Sequence, residues 1–197
     1  MKKTIIATAT ISAFLFAGSV MAADSGFYGA FDLGQSTINP VNVVTPGITF
    51  KKTDTAFRLG AGYQLNKNVG FEANYTDFGK LTGTATVLGL PVSLSSPGTG
   101  YGVAVVGTLP LTDAFALTGK VGVESVTFKT NASVLGLNII AASASKTNAT
   151  FGVGIKYNVT PTVALRAQYE DFGTVGDANS TGQAKLSLIS AGITFGF

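Results

Sequence analysis

Apolar and polar residues alternate with a period of two from Phe27 onward, the pattern of strands whose two faces meet different surroundings. Phe57, Leu59, Ala61, Tyr63 and Leu65 share one face, while Arg58, Gly60, Gly62 and Gln64 share the other. Val69, Phe71, Ala73 and Tyr75 likewise oppose Gly70, Glu72, Asn74 and Thr76. Further on, Phe151, Val153, Ile155, Tyr157 and Val159 oppose Gly152, Gly154, Lys156 and Asn158, and Val163, Leu165, Ala167 and Tyr169 oppose Arg166, Gln168 and Glu170. The alternation predicts eight strands near 26–35, 55–65, 69–79, 99–109, 114–126, 148–159, 163–173 and 184–197. Their connections alternate in length: 66–68, 111–113 and 160–162 are tight turns, whereas 36–54, 80–98, 127–147 and 174–183 are long. All six prolines (Pro40, Pro46, Pro91, Pro97, Pro110 and Pro161) are expected in loops or at strand ends, because proline cannot donate to a ladder. Short turns on one side and long loops on the other predict an all-β fold, an eight-stranded antiparallel up-and-down transmembrane β-barrel.

Composition removes the competing classes. Only 12% of the 197 residues are charged and the mean hydropathy is +0.38, values of a membrane protein. Apart from residues 4–22 no run of 18 apolar residues occurs, so a bundle of membrane helices is excluded. The chain has no Cys, no His and no Trp. That rules out disulfide scaffolds, Cys/His zinc sites and hydrolases built on a Ser–His or Cys–His pair, and no enzymatic role or cofactor is expected. Thirteen basic against ten acidic residues is too even for a nucleic-acid partner. Residues 1–22 have a basic start, an apolar stretch from Ile5 to Val20 and small residues at Val20 and Ala22, the layout of a secretory signal. Cleavage after Ala22 would leave 23–197 as the barrel, resident in the outer membrane of a Gram-negative-type bacterium.

Strand parity also decides which face meets lipid. A lipocalin-like soluble barrel would turn its polar row to water, and such rows are usually rich in Lys and Glu. Here the polar row is Gly, Ala, Ser and Thr, which suits the narrow lumen that eight strands enclose. The apolar row carries charge only at Asp77, Asp171 and Lys185, near the loop ends. On the inner face, Asp32, Glu72, Glu124 and Glu170 balance Arg58, Lys120, Lys156 and Arg166. Buried charges persist when paired, so these eight are expected to form a lumenal ion-pair network. A filled plug and a gated conduction path are both open on this reading. With no Trp for the membrane interfaces, Tyr63, Phe115 and Tyr157 are assigned to the periplasmic girdle, and Tyr75, Tyr101 and Tyr169 to the outer one.

Two segments repeat at an offset of 94 residues: YQLNKNVGFEANYTDFG from Tyr63 to Gly79, and YNVTPTVALRAQYEDFG from Tyr157 to Gly173. Each is a strand, a tight turn, a second strand and a Tyr-x-Asp-Phe-Gly ending, and Glu72 in the first copy becomes Arg166 in the second. With the signal segment, the eight strands and the terminal Ile193-Thr194-Phe195-Gly196-Phe197, the chain resembles the OmpA-like family of small outer-membrane barrels over its whole mature length. The resemblance implies that Phe195 and Phe197 belong to the C-terminal signal read by the barrel-assembly machinery. Long members of that family continue into a peptidoglycan-binding domain; this chain stops at the barrel, so tethering to the cell wall is not implied.

The long segments carry the remaining information. Thr86 to Val92 reads TVLGLPV and Ser133 to Ile140 reads SVLGLNII, two copies of Val-Leu-Gly-Leu where water is expected. The flanking Ser/Thr alternation suggests hairpins that continue the strands beyond the bilayer. Exposed apolar patches mark contact with a partner, a ligand or a membrane, which makes Leu88, Leu90, Leu135, Leu137 and Ile139 candidate contact residues. The alternative is that the tips pack on each other and close the mouth. The expected partners are therefore outer-membrane lipid, the assembly machinery and, at the loops, a host surface or an apolar ligand. Two functions follow: a surface barrel that binds through its loops, in the manner of adhesins or surface antigens, or a narrow porin or conduit for small hydrophobic molecules.

Overall fold

The computed structural model describes residues 25–41, 49–87, 90–134, 137–177 and 182–197. The signal segment lies outside these residues. The strands are β1 (Gly26–Val41), β2 (Thr49–Lys51), β3 (Thr53–Asn66), β4 (Val69–Val87), β5 (Leu90–Pro110), β6 (Phe115–Val134), β7 (Leu137–Asn158), β8 (Val163–Asp177) and β9 (Gly182–Gly196). Every pairing is antiparallel, β1 pairs with β3, β3 to β9 pair in chain order, and β1–β9 closes the ring. The short β2 pairs with β4 just beyond β3, and Ile38 N donates to Lys52 O at 2.7 Å across the break, so β2 and β3 together form one of eight staves. Closure leaves no sheet edge within the bilayer, the condition for a β-structure to cross it.

The three short turns share one device. Asn66 Oδ1, Thr112 Oγ1 and Thr160 Oγ1 each accept the amide three residues ahead, from Val69, Phe115 and Val163, at 2.9–3.0 Å. A polar side chain thereby satisfies backbone donors that a two-stranded turn leaves free.

On the other side the strands run much further than the alternation predicts. Segments 80–98 and 127–147, expected as long loops, are the upper parts of the β4–β5 and β6–β7 hairpins, as their Ser/Thr alternation suggested. Pro40 and Pro91 lie one residue from the ends of β1 and β5, as expected, but Pro97, opposite Lys80, stands inside β5. It is tolerated there because the ladder on its other side yields. The β5–β6 pairing is interrupted between Ser95↔Asn131 and Gly98↔Phe128, and Ser96 Oγ and Thr130 Oγ1 share a 3.0 Å hydrogen bond in the gap.

The faces are inverted relative to a water-soluble protein. Phe27, Tyr101 and Val153 are 66–68% exposed on the outside, whereas Asp32 and Arg58 inside are 0% and 1% exposed. Leaving one such apolar side chain in water forgoes about 1.5–3 kcal/mol, so a wall of them requires lipid. Aromatic pairs sit at both ends of the wall: Phe27–Tyr63 and Phe115–Tyr157 at 4.8 and 4.7 Å near the turns, and Tyr75–Tyr101 at 5.1 Å towards the long hairpins.

Candidate functional site

The lumen is filled in layers, and the repeated Tyr-x-Asp-Phe-Gly ending builds the uppermost one. At each copy the register slips by one residue, between Asp77 and Lys80 on β4–β5 and between Asp171 and Thr174 on β8–β9. Gly79 and Gly173 take φ of 71° and 67°, a left-handed conformation that glycine reaches without penalty. Asp77 Oδ1 and Asp171 Oδ1 accept the amides of those glycines at 2.8 and 2.6 Å. The two outward aspartates of the apolar row are therefore bulge residues. Phe78 and Phe172 point inward and meet edge-to-face at 4.9 Å. Around them Ile38, Val126, Phe128, Val175, Leu186 and Leu188 form a buried apolar cluster inside the barrel. Phe78 and Phe172 continue the inner row of their strands, in phase with Thr76 and Glu170, and only Val175, beyond the second bulge, is turned inward by the slip.

Below the apolar layer lies the charged one. Arg166 holds Asp32 with Nε at 2.7 Å and Nη2 at 2.5 Å, and reaches Glu72 Oε2 with Nη1 at 2.6 Å. Lys120 Nζ bridges Glu72 at 2.7 Å and Glu170 at 2.8 Å. Arg58 pairs with Glu170, donates from Nε to Thr76 Oγ1 at 3.0 Å, and lies 5.6 Å from the Phe172 ring centre. Tyr28 Oη adds a 3.2 Å bond to Glu72. These six charges, three of each sign, are mutually paired.

The other two of the eight expected network members stand apart. Glu124 accepts from Asn74 Nδ2 at 2.9 and 3.0 Å and from Thr76 Oγ1 at 3.3 Å, with no cation in its contacts among the described residues. Its carboxylate fills space that Gly100 and Gly102 leave open: a Cβ at Gly102 would lie on Glu124 Oε2. Lys156 makes no ion pair among the described residues and lines a cavity of about 500 Å³ at the short-turn end. The network is thus smaller than the sequence suggested, because register places the acidic and basic outliers at different heights.

The outer hairpins present the other candidate surface. The β4–β5 ladder continues to Val87↔Leu90 and the β6–β7 ladder to Val134↔Leu137. The two hairpins are themselves paired up to Val92↔Val134, so the strands that lead to both Val-Leu-Gly-Leu segments stand side by side on one wall. Leu90, Leu137 and Ile139 lie on these strands, while Leu88 and Leu135 lie outside the described residues. The opposite wall behaves differently. The β7–β8 pairing stops at Phe151↔Asp171, and above it Asn148 Nδ2 donates to Phe172 O at 3.1 Å and Thr174 O at 2.8 Å. Phe195 faces lipid at 45% exposure, and Phe197 N donates to Phe27 O at 2.9 Å.

A family model described as the OmpA-like transmembrane domain matches residues 22–197. Outer membrane protein A of Shigella flexneri is 27% identical over 202 residues and that of Salmonella typhi 28% identical over 205, each covering 100% of this chain. The chain spans 56% of the length of those two relatives. Among solved structures, Neisserial surface protein A matches with a TM-score of 0.54 at 17% identity, covering 88% of this chain and 99% of that one. The outer membrane protein OprG of Pseudomonas aeruginosa matches with a TM-score of 0.50 at 14% identity, covering 89% and 96%. At such identities the likeness is one of fold.

Proposed function

The chain belongs to the OmpA-like transmembrane domain family and resides in the outer membrane; from that premise we propose that it is a non-enzymatic surface barrel whose outer hairpins bind a partner. The observation that carries this reading is the paired rise of the two Val-Leu-Gly-Leu hairpins on one wall, held together up to Val92↔Val134. Folding of the barrel does not require eight apolar residues at 87, 88, 90, 134, 135, 137, 139 and 140 in hairpins beyond the bilayer. Leaving each in water forgoes about 1.5–3 kcal/mol, which favours a contact that covers them, such as a host surface or an apolar ligand. The filled lumen speaks for a role at the surface over one through the pore.

The test replaces Leu88, Leu90, Leu135 and Leu137 by Ser. Binding of cells or ligand should be lost while barrel yield and heat-modifiable migration stay normal. A variant that binds normally but is clipped faster by protease would leave the tips as a structural cap. The competing conduit reading predicts a stable, large single-channel current from the refolded barrel; the surface reading expects small, flickering conductance at most. The proposal includes removal of residues 1–22, which terminal sequencing would establish by finding Ala23 first, and recognition of Phe195 and Phe197 by the assembly machinery.

A further inference from the structure

The charged layer of the lumen ends on an unbalanced cation. Lys156 stands directly opposite Arg166 in the β7–β8 register, and like charges in that position repel. Arg166 spends its guanidinium on Asp32 and Glu72, whereas Lys156 has no carboxylate among the described residues. Two residues along β8, Gln168 Nε2 is buried with no hydrogen-bond partner. A buried amide donor without an acceptor is costly, so such groups ordinarily meet a ligand or water.

Position 154 on β7, directly between Thr118 and Gln168 in the register, is a glycine, and its neighbours close over it: a Cβ there would come within 2.6 Å of Ala167 O and 2.9 Å of Thr118 Oγ1, so Thr118 and Gln168 stand side by side. Lys156, Gln168 and Thr118 all line the cavity of about 500 Å³, which opens beside the tight turn at Thr160-Pro161-Thr162. Of the charged side chains lining it, Lys120, Arg166 and Glu170 belong to the paired network, which leaves Lys156 as the uncompensated one. An ammonium, an unfilled amide N–H and a hydroxyl lining one cavity are the donor set for an oxygen-bearing anion.

We propose that the periplasmic vestibule of the barrel is an oxyanion site, formed by Lys156, Gln168 and Thr118 and filled from the periplasm by a phosphate or carboxylate group. The bound group neutralises Lys156 against Arg166 and accepts from Gln168. It is independent of any partner at the outer hairpins, at the opposite end of the barrel.

The test measures unfolding of the refolded mature barrel in urea, at constant ionic strength, with inorganic phosphate, acetate or chloride. Phosphate at ten times its dissociation constant should shift the wild-type folding equilibrium roughly tenfold towards the folded state, and the effect should saturate. Lys156→Met should fold at least as well as wild type without phosphate, since it removes a repulsion, and should lose the response. Gln168→Leu should weaken the response several-fold, and Lys185→Met, an exposed lysine on β9, should leave it intact. A response to phosphate alone identifies a phosphate site, and one to acetate as well identifies a site for any oxyanion group. Chloride acting as well as phosphate, no saturable response, or a Lys156→Met variant that responds like wild type would each overturn the proposal and leave a vestibule filled by water.

Discussion

Tyr63–Gly79 and Tyr157–Gly173 share a motif and diverge above it. They lie on opposite walls of the barrel and meet across the lumen at equivalent positions: Glu72 with Arg166, and Phe78 with Phe172. Arg58 joins a third such pair, donating to Thr76 in one copy and pairing with Glu170 in the other. Beyond the bulge the first copy stays in the wall, because β4 keeps partners on both sides up to Thr84. The second keeps a partner on one side only: β8 loses β7 after Asp171 but stays paired with β9 to Asp177↔Gly182, Gly176 takes φ of 78°, and Val175 and Gly176 are buried. The position equivalent to Gly176 in the first copy is Thr82, an ordinary strand residue. One motif therefore builds the plug twice, and the residues after it decide whether the strand keeps two neighbours or one.

The largest expected effect breaks the cross-lumen pairing. Arg166→Ala strands the fully buried Asp32 and leaves Glu72 with Lys120 alone, and should cost about 3–5 kcal/mol in urea unfolding. Glu72→Ala should cost less, since Lys120 keeps Glu170 and Arg166 keeps Asp32. Equal losses would mean that the two halves of the pair are equally served by their other partners.

The two bulge glycines should respond unequally. At Gly173 an added Cβ meets nothing within 4 Å, so Gly173→Ala carries only the left-handed backbone penalty of about 1–2 kcal/mol. At Gly79 the same Cβ would lie 2.6 Å from Thr55 O, adding an overpacking cost of about 1–3 kcal/mol. Equal destabilisation of the two variants would contradict the difference in their surroundings.

A smaller effect is expected at the seam between β7 and β8. Asn148→Ala removes the donor to two carbonyls, worth about 1–3 kcal/mol if neither is re-solvated. The loss should be local, seen as faster amide exchange and proteolysis at 172–177 with the ladder below Asp171 unchanged. Matching changes around 80–87 in the first copy would show that the seam is not local to the second.

Alternation, loop asymmetry and the inner charge row were legible in the sequence, because a period-two pattern directly states which side chains share a face. The offset of 94 and the exchange of Glu72 for Arg166 were legible too, since a repeat needs only one-dimensional matching. The pairing of those two residues with each other, and of Phe78 with Phe172, was decided by closure, which brings strands far apart in the chain to face across a lumen too narrow to keep them apart. The bulge that turns Val175 inward, the separation of Glu124 from Lys156, and the register that brings Lys156 against Arg166 were likewise settled only in three dimensions. Parity records faces along one strand, while a one-residue slip in register, set by hydrogen bonding to its neighbours, resets every face beyond it.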